Sequence, residues 1–277
     1  IKGKEATPFR EIPCNKDIFL FYYLAKKLDI IGDDESRENL VSGFILKWVR
    51  DGIITIREKE SGAIVKKKNY DMYLDIDAKF ENKQETALYK MFILASKEGV
   101  LQTKTFQKWC SKHYKKIDDW FAKVDNVTEN FMNENGYAKT ATIYKRFLFW
   151  NIPHDRTVWT DKAYDQCLYV WGFNNFLDDE DNMKEKAAIE VKLWDEYLIF
   201  AAVLGIADRV EKQLKVVIPR YEETTTYNNF PIYYYTHTFA HNSMSAASSA
   251  ASAGQGGSSS FSGGGGGFSG GGGGGVR

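Results

Sequence analysis

Beyond Glu223 the chain stops using charge. Of its 37 basic and 37 acidic side chains only Arg277 lies past that residue, and fourteen of its 23 glycines fall between Gly254 and Gly275. A stretch this poor in charge and bulky apolar side chains cannot repay the entropy of ordering. Residues 223–277 are therefore expected to be a low-complexity, disordered tail. The 36 basic and 37 acidic groups of residues 1–223 make up about a third of that segment, which is long enough to bury a sizeable core. Their near balance removes the excess of Lys and Arg on which general nucleic-acid affinity rests.

Three cysteines, Cys14, Cys110 and Cys167, form no CxxC pair and no dense framework. They are expected as small buried side chains in a reducing compartment. The chain opens IKGKEATPFREIP, with no initiator Met and no apolar signal segment, and is expected to be a fragment of something longer. Two apolar stretches invite a membrane reading. YLIFAAVLGIA (Tyr197–Ala207) is bounded by Asp195, Glu196 and Asp208, and IYKRFLFW (Ile143–Trp150) is split by Lys145 and Arg146. Both fall short of the roughly 20 apolar residues a spanning helix needs.

Periodicity predicts helix, helix, hairpin over residues 11–76. Asn15 is the expected N-cap of a first helix carrying Phe19, Tyr22, Tyr23 and Leu24, and Ser36 that of a second carrying Leu40, Phe44, Ile45, Trp48 and Val49. Asp51-Gly52 ends the second helix. Ile54 and Ile56 then alternate with polar residues up to a turn at Glu60-Ser61-Gly62. This ordering is that of a winged helix, with a generic small α+β module as the alternative. Residues 83–140 show three apolar stripes: Leu88, Met91, Phe92 and Ala95; Phe106, Trp109 and Cys110; and Trp120, Phe121, Val124, Val127 and Phe131. Breaks are expected at Glu98-Gly99 and Asn135-Gly136. Residues 141–163 show no convincing periodicity. Helix returns at Tyr164, and a last, long helix is expected from about Glu185 to Val217 with Gly205 inside it, where a glycine would permit a close helix crossing.

The fold class expected is mainly α with a small β-hairpin wing. A winged-helix-like module spans 1–78 and a second helical, possibly winged-helix-like module 79–142. A junction follows at 143–163, then a C-terminal helical segment at 164–222 and the tail at 223–277.

PFREIP near the start, NLVSGFILKWVRDGIITI, GFNNFL followed by KLWDEYLIFAAVLGIADRVEKQLK, and SSSFSGGGGGFSGGGGGG occur in that order. In this combination the chain resembles the YciQ-like predicted membrane proteins of bacteria, a family of unknown function. The resemblance covers essentially the whole chain, and none of its motifs is chemical. It implies a cytoplasmic region on the inner membrane, anchored through segments absent from this chain. It also implies a transmembrane hairpin between the second helical module and the GFxxFL helix; Tyr144–Trp159 stands in its place here.

Residue chemistry names no enzyme. His113, His154, His237 and His241 are the only histidines. His237 and His241 have i,i+4 spacing but lie in the tail, without HExxH. GxSxG and GxxxxGK[ST] are absent, and the formal GxGxxG at Gly270–Gly275 follows no strand. Asp178-Asp179-Glu180-Asp181 lacks the alternation of a calcium loop. No catalytic, cofactor or metal residue is therefore assigned, and no cofactor is expected. The reading left is a protein-interaction or regulatory module, through a protein partner or self-association. Its candidate surface is Lys66, Lys67 and Lys68 beside the wing together with Tyr233, Tyr234 and Tyr235 of the PIYYY string, which either folds back or binds in trans. The alternative is a membrane-tethered winged-helix nucleic-acid binder. The acidic start of the second helix, Asp33-Asp34-Glu35, argues against it.

Overall fold

The computed structural model describes residues 5–61, 67–147, 150–179, 191–217 and 232–255. Over these residues the chain is mainly helical, with two small antiparallel sheets.

Helix α1 (Ile18–Lys27) is capped by Asp17, whose carboxylate accepts the amides of Phe19 and Leu20 at 2.9 Å. Asn15, the expected cap, sits just ahead in a short 3-10 turn. Helix α2 (Asp33–Arg50) starts a turn earlier than expected, because Asp33, Asp34 and Glu35 suit the positive end of a helix dipole. Ser36 lies inside the helix and donates back to the Asp33 carbonyl at 2.9 Å. Gly52 ends α2 as expected. With φ +73 it donates to the Val49 carbonyl, and Ile53 donates to that of Trp48, the paired bonds of a left-handed helix stop.

Strands β1 (Ile54–Ser61) and β2 (Lys67–Leu74) pair antiparallel from Ile54↔Leu74 to Ser61↔Lys67, giving the expected helix–helix–hairpin order. The sheet does not stop at residue 78. Beyond α3 (Lys83–Ala95), the three-residue β3 (Val100–Gln102) pairs with β2, Leu101 opposite Met72. The first and second expected modules thus share a sheet. Helices α4 (Thr103–Lys112) and α5 (Tyr114–Glu134) bury Phe106, Cys110, Trp120, Phe121 and Val124, while Val127 and Phe131 of the third stripe stay exposed.

The stretch expected to be aperiodic is a ribbon. Strand β4 (Ala138–Phe147) pairs with β5 (Trp150–Trp159) through ten residue pairs. Alternation is present in Ile143, Lys145, Phe147 and again in Trp150, Ile152, but the basic residues among the apolar ones and Pro153 disguise it.

Helix α6 (Asp161–Asp178) follows. The described part of the expected long helix is two helices, α7 (Val191–Val203) and α8 (Ala207–Val217). Gly205, with φ +76, is the stop between them rather than a mid-helix residue, donating to the Ala202 carbonyl while Ile206 donates to that of Ala201. A Cβ on Gly205 would lie 2.8 Å from the Asn39 side chain of α2, so the close approach expected at this glycine exists, made by a turn.

The largest correction concerns the tail. Residues 232–255, expected to be disordered, form helix α9 (Ile232–Gln255). Ile232, Tyr233, Thr236, Phe239, Ala240, Ser243, Met244 and Ala247 are buried along it, a continuous stripe at three- and four-residue steps. Small residues, not charge, keep the helix close to its neighbours. Residues 256–277 of the expected tail lie outside the described residues.

Helix α2 is the hub, packing on α1, α7 and α9. At Gly43 a Cβ would lie 2.7 Å from the Val203 side chain and 3.3 Å from the Ile199 carbonyl, so only glycine admits α7 this closely. At Gly172 of α6 it would meet the Thr7 carbonyl at 2.5 Å, which lets the N-terminal segment cross the helix. Phe9 donates to the Gly172 carbonyl at 2.9 Å and stacks on Tyr169, and Tyr197 of α7 donates to the Arg10 carbonyl at 2.7 Å. PFREIP, NLVSGFILKW, GFNNFL and the α7 motif therefore meet one another, which explains motifs without chemistry: they are packing signatures.

Candidate interaction surface

The face of α9 turned to the body meets α2, α3 and α4. Phe239, fully buried, stacks on Phe106 of α4 with ring centroids 5.1 Å apart and lies 5.9 Å from Phe92 of α3. Thr236 accepts from Ser42 of α2 across 3.2 Å, since its own hydroxyl donates to the Tyr233 carbonyl. The buried Glu38 of α2 faces two imidazoles: Nδ1 of His241 lies 2.7 Å from Oε2, and Nε2 of His237 lies 3.7 Å from Oε1. A carboxylate taken out of water needs such partners.

The expected site residues separate. Lys66 lies outside the described residues, and Lys67 and Lys68 are placed in β2 opposite Ser61 and Glu60. Tyr233 is buried against α2 and α8. Burial, followed by Asp208, Glu38, Glu35 and Glu211, pushes its phenol up to about 12. Tyr235 donates to the Tyr70 carbonyl of β2 at 3.1 Å and packs edge-on against that ring. Burial raises its phenol to about 12, partly offset by a hydrogen bond with Thr103. Tyr234 alone of the three is open to water, at 70% exposure. The tyrosine string is folded back, and Tyr235 joins it to the strand that carries Lys67 and Lys68.

Sequence reasoning missed Glu38, Ser42, His237 and His241. The available signal is the i,i+4 histidine pair, which places both imidazoles on one face only once residues 232–255 are helical. Among the described residues no three His, Cys, Asp or Glu side chains are grouped to hold a metal ion. The three thiols are buried. Burial lifts those of Cys110 and Cys167 to about 12 and that of Cys14 well above its ordinary value, so each stays protonated. None has the depressed pKa of a nucleophilic cysteine.

Residues 146–214 match the model of the C-terminal domain of the DUF2207 predicted membrane proteins. The matched span runs from the end of β4 through α8, and it includes α6 and α7 with their glycine contacts. It supports a protein of the DUF2207 type, whose function is unknown. No curated protein and no solved structure matches the chain. Among the described residues no helix is long and apolar enough to cross a membrane.

Proposed function

We propose that this chain is a protein-interaction or regulatory region of a YciQ-like, DUF2207-type membrane protein, on the cytoplasmic side of the membrane, with α9 as the element through which it is regulated. The observation that carries this reading is that α9 occupies a groove between α2 and α4 as a helical ligand does, with an apolar stripe and a few placed polar contacts. Docked, α9 hides Ser42, Glu38 and the Phe92–Phe106 surface; released, it bares them together with its own Tyr233 and Phe239. The test compares immobilised wild-type chain with Phe239→Ala, which loosens α9, in capture from membrane extracts. Different captured proteins for the two states are expected; identical sets would overturn the reading.

The nucleic-acid alternative draws on the helix–helix–hairpin order of residues 18–74. Against it, α2, the helix that would enter a groove, is buried at Leu40, Val41, Phe44, Ile45, Leu46 and Trp48 and is acidic in its first turn. A low-salt gel shift in which the chain retarded duplex DNA would restore it.

A further inference from the structure

The fold uses only half of the apolar stripe on α5. Trp120, Phe121 and Val124 are buried, whereas Val127 and Phe131 stay 42% and 38% exposed. Phe131 stacks on Tyr137, with ring centroids 6.2 Å apart. A recess of about 70 Å3 opens beside the two exposed side chains, lined by Phe19 and Leu20 of α1, Gln84 of α3, and Val124 and Thr128 of α5. Exposed apolar side chains scattered singly are ordinary. Two on consecutive turns beside a recess make a face that can receive a partner.

The charges at the two ends of this face decide what fits it. Lys123, Val127, Phe131 and Glu134 follow one another at three- and four-residue steps, so they share one side of the helix over roughly 16 Å. Lys123 and Glu134 are exposed, and among the described residues neither joins the ion pairs that α5 makes through Asp118 and Asp125. From its N-terminal end the stripe runs basic, apolar, apolar, acidic; from the other end it runs acidic, apolar, apolar, basic. It is therefore its own complement when a second α5 lies antiparallel to it. A parallel second copy would set lysine on lysine and glutamate on glutamate, which repel.

We propose that the chain pairs with a second copy of itself through α5, the two helices antiparallel about a twofold axis that passes between Val127 and Phe131. Val127 then packs on the partner's Phe131 and Lys123 meets the partner's Glu134, and the twofold repeats each contact. The apolar centre covers the recess, and the two ion pairs form a solvated rim. Antiparallel alignment also sets the positive end of each helix beside the negative end of the other. No residue of α9 or of its groove takes part, so the pairing is independent of the regulatory role given to α9.

The experiment is analytical ultracentrifugation of the full chain over a range of concentrations at low salt. Wild type is expected to show a concentration-dependent monomer–dimer equilibrium. Phe131→Ala should weaken it at least about tenfold, since symmetry removes the contact twice. Lys123→Glu alone and Glu134→Lys alone should each weaken it about fivefold or more, by setting like charges opposite one another. An equimolar mixture of these two single variants should recover the dimer, because every charge then meets its opposite. Circular dichroism of all variants should match wild type, since the substituted side chains lie on the surface. A chain that stays monomeric at every concentration overturns the proposal and leaves the face to a different partner. A dimer that Phe131→Ala and both charge reversals leave intact overturns it as well, as do single variants that fail to recover when mixed.

Discussion

Replacing Phe239 by Ala should release α9 without unfolding the rest of the chain. Phe239 has no solvent exposure, is stacked on Phe106 and lies against Phe92. Truncating a buried Phe to Ala costs about 3–5 kcal/mol in lost transfer energy and residual cavity. The other buried positions of α9 are small or polar apart from Ile232, Tyr233 and Met244, so this ring is its largest anchor at mid-helix. A change of that size multiplies the undocked population about a hundred- to several-thousandfold. Once undocked, a helix whose second half is Ser and Ala with no charged pairs has little to hold it in water. Amide hydrogen exchange reads this directly. Protection of amides 236–250 should collapse in the variant while amides of α1 and α7 keep theirs, and the main melting transition should shift by less than the full cost. Unchanged protection in α9 would refute the reasoning, as would protection lost simultaneously in α7, which would make α9 an inseparable part of the core.

Three further outcomes follow from the packing. Gly172→Ala places a methyl 2.5 Å from the Thr7 carbonyl; backbone cannot yield as a side chain does, so the segment around Phe9 should lift off α6 and become sensitive to limited proteolysis while the melting temperature changes little. Glu85→Ala removes the acceptor of the buried Trp48 indole N–H (2.9 Å) and the partner of Lys47 (2.7 Å). Leaving that donor unpaired should cost about 1–3 kcal/mol in urea unfolding. The thiols predict an alkaline signature. Their folded values, about 12 for Cys110 and Cys167, lie above the roughly 8.5 of an unfolded thiol, so the folded state holds these protons more tightly. Their contribution is fully present below about pH 8.5 and is lost as pH rises toward 12, by about 1.4 kcal/mol per pH unit for each thiol. The fall in urea midpoint from neutral to alkaline pH should therefore be smaller in a Cys110→Ala, Cys167→Ala variant than in wild type, and no thiol should react with Ellman's reagent before unfolding.

Local signals were legible where they obey local rules. Gly52 was readable as a helix stop because a left-handed residue after Trp48-Val49-Arg50-Asp51 closes two hydrogen bonds at once. The hairpin that follows was readable from its alternation. What composition concealed was decided by tertiary contact. Helix α9 looked disordered because its buried stripe is built largely from Thr, Ala and Ser, which bury against α2 and α4 only when those helices are already in place. Strand β3 has three residues, too few for a period, and exists because β2 offers a free edge. Gly205 looked like an interior residue since its neighbours continue the helical spacing, and only Asn39 of α2 shows why the chain turns there. Of the candidate surface, the tyrosines were visible, whereas Glu38 and its two imidazoles become one cluster only through a contact more than 190 residues apart in sequence.

The claim that α9 is a ligand in its own groove is tested most directly by supplying it in trans. A fluorescent peptide of residues 232–255 is titrated against the Phe239→Ala chain and against wild type, and its anisotropy is followed. The account predicts saturable binding to the variant, whose groove is vacated, and much weaker binding to wild type, where the resident helix competes. Equal binding to both, or none to a variant shown by hydrogen exchange to have released α9, would contradict it.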